Sequence, residues 1–155
     1  MKEQLLLAWR TNNEKNLLLL RHLTDEYLGH TLSKGRNVGE QLAHMHNVRI
    51  NWTEFVAKPL YQKSLLLTKD ASLTPTLLSE AFTASATEIE AVIDRSWKKE
   101  GKLPSFKAGL IPFITYLISH ESHHRGNILL TLKQTGIRLP DEVKWGLWEW
   151  QNPAV

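Results

Sequence analysis

The sequence predicts an all-α protein, and more specifically a four-helix bundle. Apolar residues recur at helical spacing in four long stretches, and residues that start or end helices stand at the borders of these stretches. No stretch of useful length alternates apolar and polar residues as a half-buried strand does. Because 155 residues suffice for one sizeable core, we expect a single domain over residues 1–155.

The first two long helices are predicted from their apolar spacing and their caps. The first covers residues 3–23, and Thr24 after it is suited to cap a short extra turn. The second begins after Asn37, where Glu40 stands three residues further on as in a capping box. It ends near Ala57, because the proline two residues later disfavours helix before it.

The other two long helices have a proline near their starts. Residues 58–73 form a long connection, and Thr74–Pro75 then combines a capping residue with a proline at the first helical position. This third helix runs to about Ser96. A fourth helix opens at Pro112 and runs to about Thr135, where the following glycine is a typical end signal.

The tail, residues 141–155, is rich in tryptophan. Large aromatic side chains are rarely left free in solvent, so we expect this tail to pack on the bundle or on a second subunit. Its tryptophans are Trp145, Trp148 and Trp150.

Composition excludes several classes of function. The chain has no cysteine, which rules out disulfides, thiolate nucleophiles and iron–sulfur clusters and limits a metal site to His, Asp and Glu. A net charge of +3 is spread without a basic stripe, so nucleic-acid binding is not expected. The leucine run Leu17–Leu20 is too short for a membrane span. The first residues carry an early acid and no apolar signal core, so we expect a cytoplasmic protein.

The fourth helix carries the residues that point to chemistry. His120 and His124 are four residues apart and lie about 40° from each other on one helix face, where both can bind one metal ion. Read literally, residues 120–124 form an H-E-x-x-H motif. Glu121 lies about 20° from the centre of the apolar face, and burying it without partners would be costly. His123 points away.

The second helix offers a third ligand. His44 lies about 80° from the centre of its apolar face and His46 about 120°, so His44 is the better candidate for pointing inward. The alternative is that each histidine is a solvated or singly hydrogen-bonded side chain. A zincin protease is not expected, because that class needs a downstream third ligand beside a sheet, and no histidine follows His124.

Two segments resemble the DinB/YfiT-like superfamily of small four-helix-bundle metalloenzymes. These are Asn37-Val-Gly-Glu-Gln-Leu-Ala-His44 and Ile118-Ser-His-Glu-Ser-His-His-Arg-Gly-Asn-Ile128. The second is more specific, because the superfamily signature is His-x-x-x-His followed at once by Arg-Gly-Gln. This chain has Asn127 in place of that glutamine, which keeps an amide. The resemblance extends from about residue 3 to about residue 140.

The resemblance implies an up-down-down-up bundle in which residues 58–73 form the crossover. It also implies a divalent-metal site of His44, His120 and His124, and members are often homodimers. Some members are thiol-dependent S-transferases that use a low-molecular-weight thiol, and others are metal-dependent hydrolases or isomerases. The ligand type suits Zn, Ni, Fe or Mn.

Three further side chains have two readings each. Glu121 is a candidate catalytic residue, a general base for water or thiol at the metal, or else an intersubunit or ligand-orienting hydrogen-bond partner. Arg49 and Arg125 either hold an anionic substrate or are salt-bridged structural residues. Two functions therefore remain open, a metal-dependent enzyme acting on a small molecule and a catalytically silent metal-binding or structural dimeric bundle.

Overall fold

The computed structural model describes residues 1–32 and 34–151, and within these ranges it contains helices and no strand. The helices are α1 (Lys2–Leu20), α2 (Asp25–Leu28), α3 (Val38–Val56), α4 (Pro75–Trp97), α5 (Leu110–Gln134) and α6 (Asp141–Gly146). The prediction of an all-α protein with four long helices is confirmed. Residues 152–155 of the predicted domain and tail lie outside the described residues. No described helix combines the length and apolar character needed to cross a bilayer.

The helix ends follow the predicted caps, with two shifts. Asn37 and Glu40 form the capping box, with side chain to backbone distances of 2.8 and 2.9 Å in the two directions. Thr74 accepts a hydrogen bond from the backbone at the start of α4. Helix α1 ends at Leu20, three residues earlier than predicted. Helix α5 begins two residues before Pro112, which is tolerated in a first turn because its missing N–H would have no helical partner.

Two apolar clusters define the direction of each long helix. One cluster joins the C-terminal parts of α1 and α5 to the N-terminal parts of α3 and α4, and the other joins the opposite ends. Helices α1 and α5 therefore run one way and α3 and α4 the other, which is the up-down-down-up arrangement. Examples from the first cluster are Leu19, Leu42, Phe82 and Ile128, and from the second Trp9, Val56, Ile89 and Phe113.

The middle of the core, between the two apolar clusters, contains a buried layer of polar side chains. We call these residues the polar layer, and each is at most 7% exposed. Burying polar groups at this depth is costly unless they are hydrogen-bonded, and most of these side chains bond to one another or to backbone carbonyls. The members are Asn12, Asn13, Asn16, Arg49, Ser85, Glu121 and Arg125.

The long connection between α3 and α4 is held against the outer face of α3. His46 Nε2 donates to the carbonyl of Leu65 at 2.7 Å. Asn47 donates to the carbonyl of Leu67 at 2.8 Å and accepts from its N–H at 2.9 Å. Helical phasing predicted that His46 lies further from the core than His44, yet His46 is fully buried because this connection covers it.

The tail after α5 folds back along α1. Val143 of α6 is fully buried in the first apolar cluster, and Lys15 Nζ donates to the backbone carbonyl of Glu149 at 2.6 Å. The tryptophans of this segment point outward, since Trp145 is 62% and Trp148 78% exposed. The described part of the tail is thus attached by an aliphatic residue and a lysine rather than by its indole rings.

Candidate metal centre

The structure brings together three histidines from two antiparallel helices. His44 lies on α3, and His120 and His124 lie one turn apart on α5. Their candidate ligand nitrogens are all within 4.8 Å of one another, and the ring centroids are 4.7 to 5.2 Å apart. A tetrahedral ion with bonds of about 2.1 Å holds its nitrogens about 3.4 Å apart. Small side-chain rotations would therefore close these three rings on one ion.

The three imidazoles are held in the neutral form that a metal requires. Burial lowers the pKa of His44, His120 and His124, and the positive charge of Arg36 lowers the pKa of all three further. The neighbouring rings of His120, His44 and His123 add to this effect at His124, whose pKa falls to about 4. At neutral pH each ring thus offers a nitrogen lone pair without first losing a proton.

The two candidate ligands on α5 differ in the hydrogen bonding of Nδ1. The Nδ1–H of His124 donates a hydrogen bond to Oε1 of Gln41 at 3.3 Å. The lone pair of Nε2 is then free to bind a metal ion. His120 Nδ1 is buried and has no hydrogen-bond partner among the described residues. An unsatisfied buried group of this kind costs about 1–3 kcal/mol. An ion bound at that nitrogen would remove the cost, so the donor set fits a divalent metal.

Gln41 is a site residue that sequence reasoning missed. It lies three residues before His44 on α3 and is 8% exposed, so the helix directs both side chains toward α5. The sequence did contain a signal for this role, because the amide side chain of Gln41 precedes His44 by three residues and so lies on the same helix face. Second partners of this kind fix the ring orientation and tautomer of metal-binding histidines.

Glu121 lies between the two histidines in sequence, but its carboxylate belongs to the polar layer. Oε1 accepts from Arg49 Nε at 2.6 Å, and Oε2 accepts from Arg49 Nη2, Asn12 and Asn16 at 2.8, 2.6 and 2.7 Å. Burial acts to raise the pKa of Glu121, but the charge and hydrogen bonds of Arg49 outweigh it and hold the pKa below its ordinary value. These partners belong to the same chain and are not candidate metal ligands, so the contacts test neither the intersubunit nor the general-base reading of Glu121, and both stay predictions.

Arg49 is salt-bridged and completely buried. Its guanidinium stacks between the rings of Trp9 and Phe82, with Cζ 4.6 and 4.7 Å from the centroids, and also donates to Asn13 and Ser85. Every side of the group is occupied by protein, so Arg49 is not placed to bind an anionic substrate.

Arg125 is likewise engaged within the chain. It donates to Oδ1 of Asn16 at 2.6 Å and to Oγ of Ser122 at 2.8 Å. Burial lowers its pKa to about 10, which still leaves it charged at neutral pH. Sequence reasoning also missed the buried asparagines that bind the charged residues of the polar layer, which are Asn12, Asn13 and Asn16. For Asn13 and Asn16 a signal was present in residues 6–23, where they occupy the core spacing between apolar residues, in the order Leu6, Trp9, Asn13, Asn16, Leu20 and Leu23.

The remaining two histidines of these helices are not members of the three-histidine group, although the ring of His123 is 5.4 Å from that of His124. His123 is exposed, and its Nε2 lies 3.0 Å from the amide nitrogen of Asn127. His46 binds the crossover, as described above. The outward direction predicted for His123 agrees with its exposure.

The fold and the cluster together define a four-helix-bundle protein with a candidate three-histidine metal centre. The family model of the DinB family matches residues 1–144. The chain therefore belongs to the DinB family, and the resemblance seen in the two histidine segments is confirmed. No curated protein and no solved structure matched the chain.

Proposed function

We propose that this DinB-family protein binds one divalent metal ion on His44, His120 and His124 and acts as a metal-dependent enzyme on a small molecule. The observation that carries the proposal is the convergence of three neutral imidazoles within 4.8 Å. No Asp, Glu or Cys joins this group within the described ranges. Three protein ligands leave a coordination position open for a substrate, which is typical of catalytic rather than structural sites.

The proposed reactions are hydrolysis and transfer to a low-molecular-weight thiol. A divalent ion would polarise a substrate oxygen and acidify a coordinated water or thiol. Three uncharged ligands leave the full double charge of such an ion in place, and imidazole suits Zn, Ni, Fe and Mn alike. Gln41 would keep His124 in the tautomer that presents Nε2, and Arg36 adds positive charge at the same site.

Metal analysis tests the proposal directly. Protein produced without a histidine tag and reconstituted with zinc should contain one ion per chain by mass spectrometry of the metal. His44→Ala, His120→Ala and His124→Ala should each lose stoichiometric binding. His123→Ala is the matched control, because it removes an exposed histidine from the same helix and should keep the ion. Equal metal content in wild type and all three ligand variants would refute the site.

An activity screen separates the enzyme from the alternative, a catalytically silent metal-binding bundle. Metal-loaded protein should turn over members of a panel of thiol-transfer and hydrolase substrates, and the His120→Ala variant should not. Cobalt substitution gives a second measurement, since the visible spectrum changes when an added anion enters an open position. A spectrum that no anion alters, together with no turnover, would favour the silent bundle.

We further propose that the protein forms a homodimer. The support is the pair of exposed indole rings at Trp145 and Trp148, which lie within four residues of each other. Light scattering should give twice the chain mass for wild type and a lower mass for the Trp145→Ser/Trp148→Ser variant. Leu130→Ser, which removes a 50% exposed leucine from α5, is the control and should stay dimeric. A wild-type protein that scatters as a single chain would exclude the dimer.

A further inference from the structure

Between α3 and α5, one helical turn from the three histidines, lies an open cavity of about 150 Å³. We call this cavity the aromatic pocket. It contains none of the three candidate ligands, and the proposed metal chemistry makes no use of it. Its lining residues are Val48, Asn51, Trp52, Phe55 and Tyr116.

The aromatic pocket lies one helical turn from the histidines on both helices. Val48 follows His44 by four residues, and Tyr116 precedes His120 by four. Because α3 and α5 are antiparallel, both steps lead the same way along the bundle. Four residues of helix span about 6 Å, and the Tyr116 ring is stacked on His120 with centroids 6.2 Å apart. One small molecule can therefore reach both places.

The lining of the aromatic pocket is uncharged and presents ring surface to solvent. Phe55 is 58% and Tyr116 39% exposed, although both are large apolar side chains. Trp52 makes edge contacts with these two rings at centroid distances of 6.3 and 5.8 Å, and its Nε1 donates to the Tyr116 hydroxyl. The walls are thus held by their mutual contacts. Such a surface favours a planar apolar group, for which burial against rings is worth more than burial against aliphatic side chains.

The size of the aromatic pocket agrees with this chemistry. A volume of about 150 Å³ is enough for a benzene-sized molecule, which would keep part of its surface in solvent because the pocket is open. No lysine, arginine or carboxylate lines it, so an anionic group would find no charged partner there.

We propose that the aromatic pocket receives an uncharged aromatic group of the substrate while the reacting group of the same molecule lies at the three histidines. This inference rests on the proposed function and adds the substrate class, a small molecule with an oxygen- or sulfur-bearing reacting group joined to an aromatic ring. Phe55 and Tyr116 are then specificity-determining residues.

Two hydroxamates provide the test, because benzohydroxamate and acetohydroxamate share the metal-chelating group and differ only in phenyl against methyl. Calorimetric titration of zinc-loaded protein should show benzohydroxamate binding about tenfold more tightly or better, as burial of a ring in place of a methyl group implies. Phe55→Ala and Tyr116→Leu should each bring this ratio toward one. Phe55→Ala should also leave the affinity for acetohydroxamate unchanged, because Phe55 contacts none of the three histidines in the described structure. Leu130→Ala, a change of an exposed apolar residue elsewhere on α5, should preserve the ratio.

The outcomes separate the pocket from the metal chemistry. Equal affinities for the two hydroxamates, or a ratio that survives both pocket variants, would overturn the inference and leave the proposed function intact. If neither hydroxamate binds, the proposed open metal site fails. Binding to the aromatic pocket is then measured on metal-free protein by saturation-transfer NMR with benzamide, which has the ring without the chelating group. We expect a signal for wild type and none for Phe55→Ala. A light-scattering change in Phe55→Ala would show instead that a second copy covers this surface.

Discussion

The polar layer draws on all four long helices and the three-histidine cluster on α3 and α5 alone, yet the two regions share sequence neighbours on α5 whose polar atoms differ in hydrogen bonding. Glu121 follows His120, and Arg125 follows His124. The carboxylate of Glu121 accepts four hydrogen bonds within the core, whereas His120 Nδ1 has no partner in the described structure. The comparison teaches that one turn of helix can carry two kinds of polar group. One has all its hydrogen bonds within the core and holds helices together, and the other has no hydrogen-bond partner and is available to a ligand.

The largest expected effect lies in the polar layer. Glu121→Ala should lower the free energy of unfolding of the metal-free protein by about 3–5 kcal/mol, because it leaves the buried charge of Arg49 without its counter-ion. Urea denaturation measures the change. Arg10→Ala is the matched control, since Arg10 pairs with Glu90 at a more exposed position and should cost under about 1 kcal/mol. Similar losses in the two variants would mean that the polar layer contributes no more than a surface ion pair.

Glu121→Gln sharpens the same comparison for catalysis. If Glu121 takes a proton during the reaction, turnover by the folded, metal-loaded variant should fall by about 10²-fold or more while the metal is retained. If the residue belongs to the polar layer alone, stability should fall and turnover per folded molecule should stay close to that of wild type. Turnover and metal content must be measured on the same preparation, with the folded fraction determined by circular dichroism.

The histidine cluster and the polar layer should affect the stability of the protein in different pH ranges. The folded-state pKa of His124 is about 4 against an ordinary value of 6.5, so the unfolded chain binds more protons between these values. Stability of the metal-free protein should therefore fall as pH drops from about 6.5 to about 4. The pKa of Glu121 lies below its ordinary 4.5, so its contribution is present above 4.5 and is lost only at lower pH.

His124→Ala tests this separation. The variant should show a flatter stability profile between about pH 6.5 and 4 and an unchanged acid transition below that range. Thermal unfolding across a pH series measures both parts. A profile identical to wild type in the upper window would show that other groups control it.

The smallest expected effect concerns Gln41. Gln41→Ala should weaken zinc binding by about tenfold, because His124 loses the acceptor that fixes its tautomer, and should change stability little. Competition with a chromogenic chelator gives the affinity, with His123→Ala as the control. Unchanged affinity would mean that the 3.3 Å contact does not orient the ring.

Local patterns in the sequence predicted most of the fold. The capping box at Asn37 and the proline start at Pro75 are short-range signals, and each determined a helix start. The pair His120 and His124 was predicted from helical spacing for the same reason. What could not be predicted depends on contacts between distant residues. The Arg49–Glu121 pair joins positions 72 residues apart, and no periodicity on one helix reveals which polar residue faces it from another.

The burial of His46 shows the same limit. Its position on the helix wheel is a local property, but its exposure depends on where the crossover lies, and the crossover has no periodic pattern to read. Only the folded chain brings Leu65 over that face of α3.

Among the described residues, the crossover is hydrogen-bonded to α3 up to Leu67 but not in residues 68–70. The length of the first part is therefore constrained, whereas the length of the second is not. The Asn47 side chain is hydrogen-bonded to both the N–H and the carbonyl of Leu67, as the backbone of a neighbouring strand would be, and His46 is hydrogen-bonded to the carbonyl of Leu65. Insertions before these residues would pull them from their partners. After them, residues 68–70 are exposed, and extra length there adds only the slowly growing entropy of a longer loop. We therefore expect this short stretch to accept an inserted tag or a whole domain while α3 and α4 keep their register.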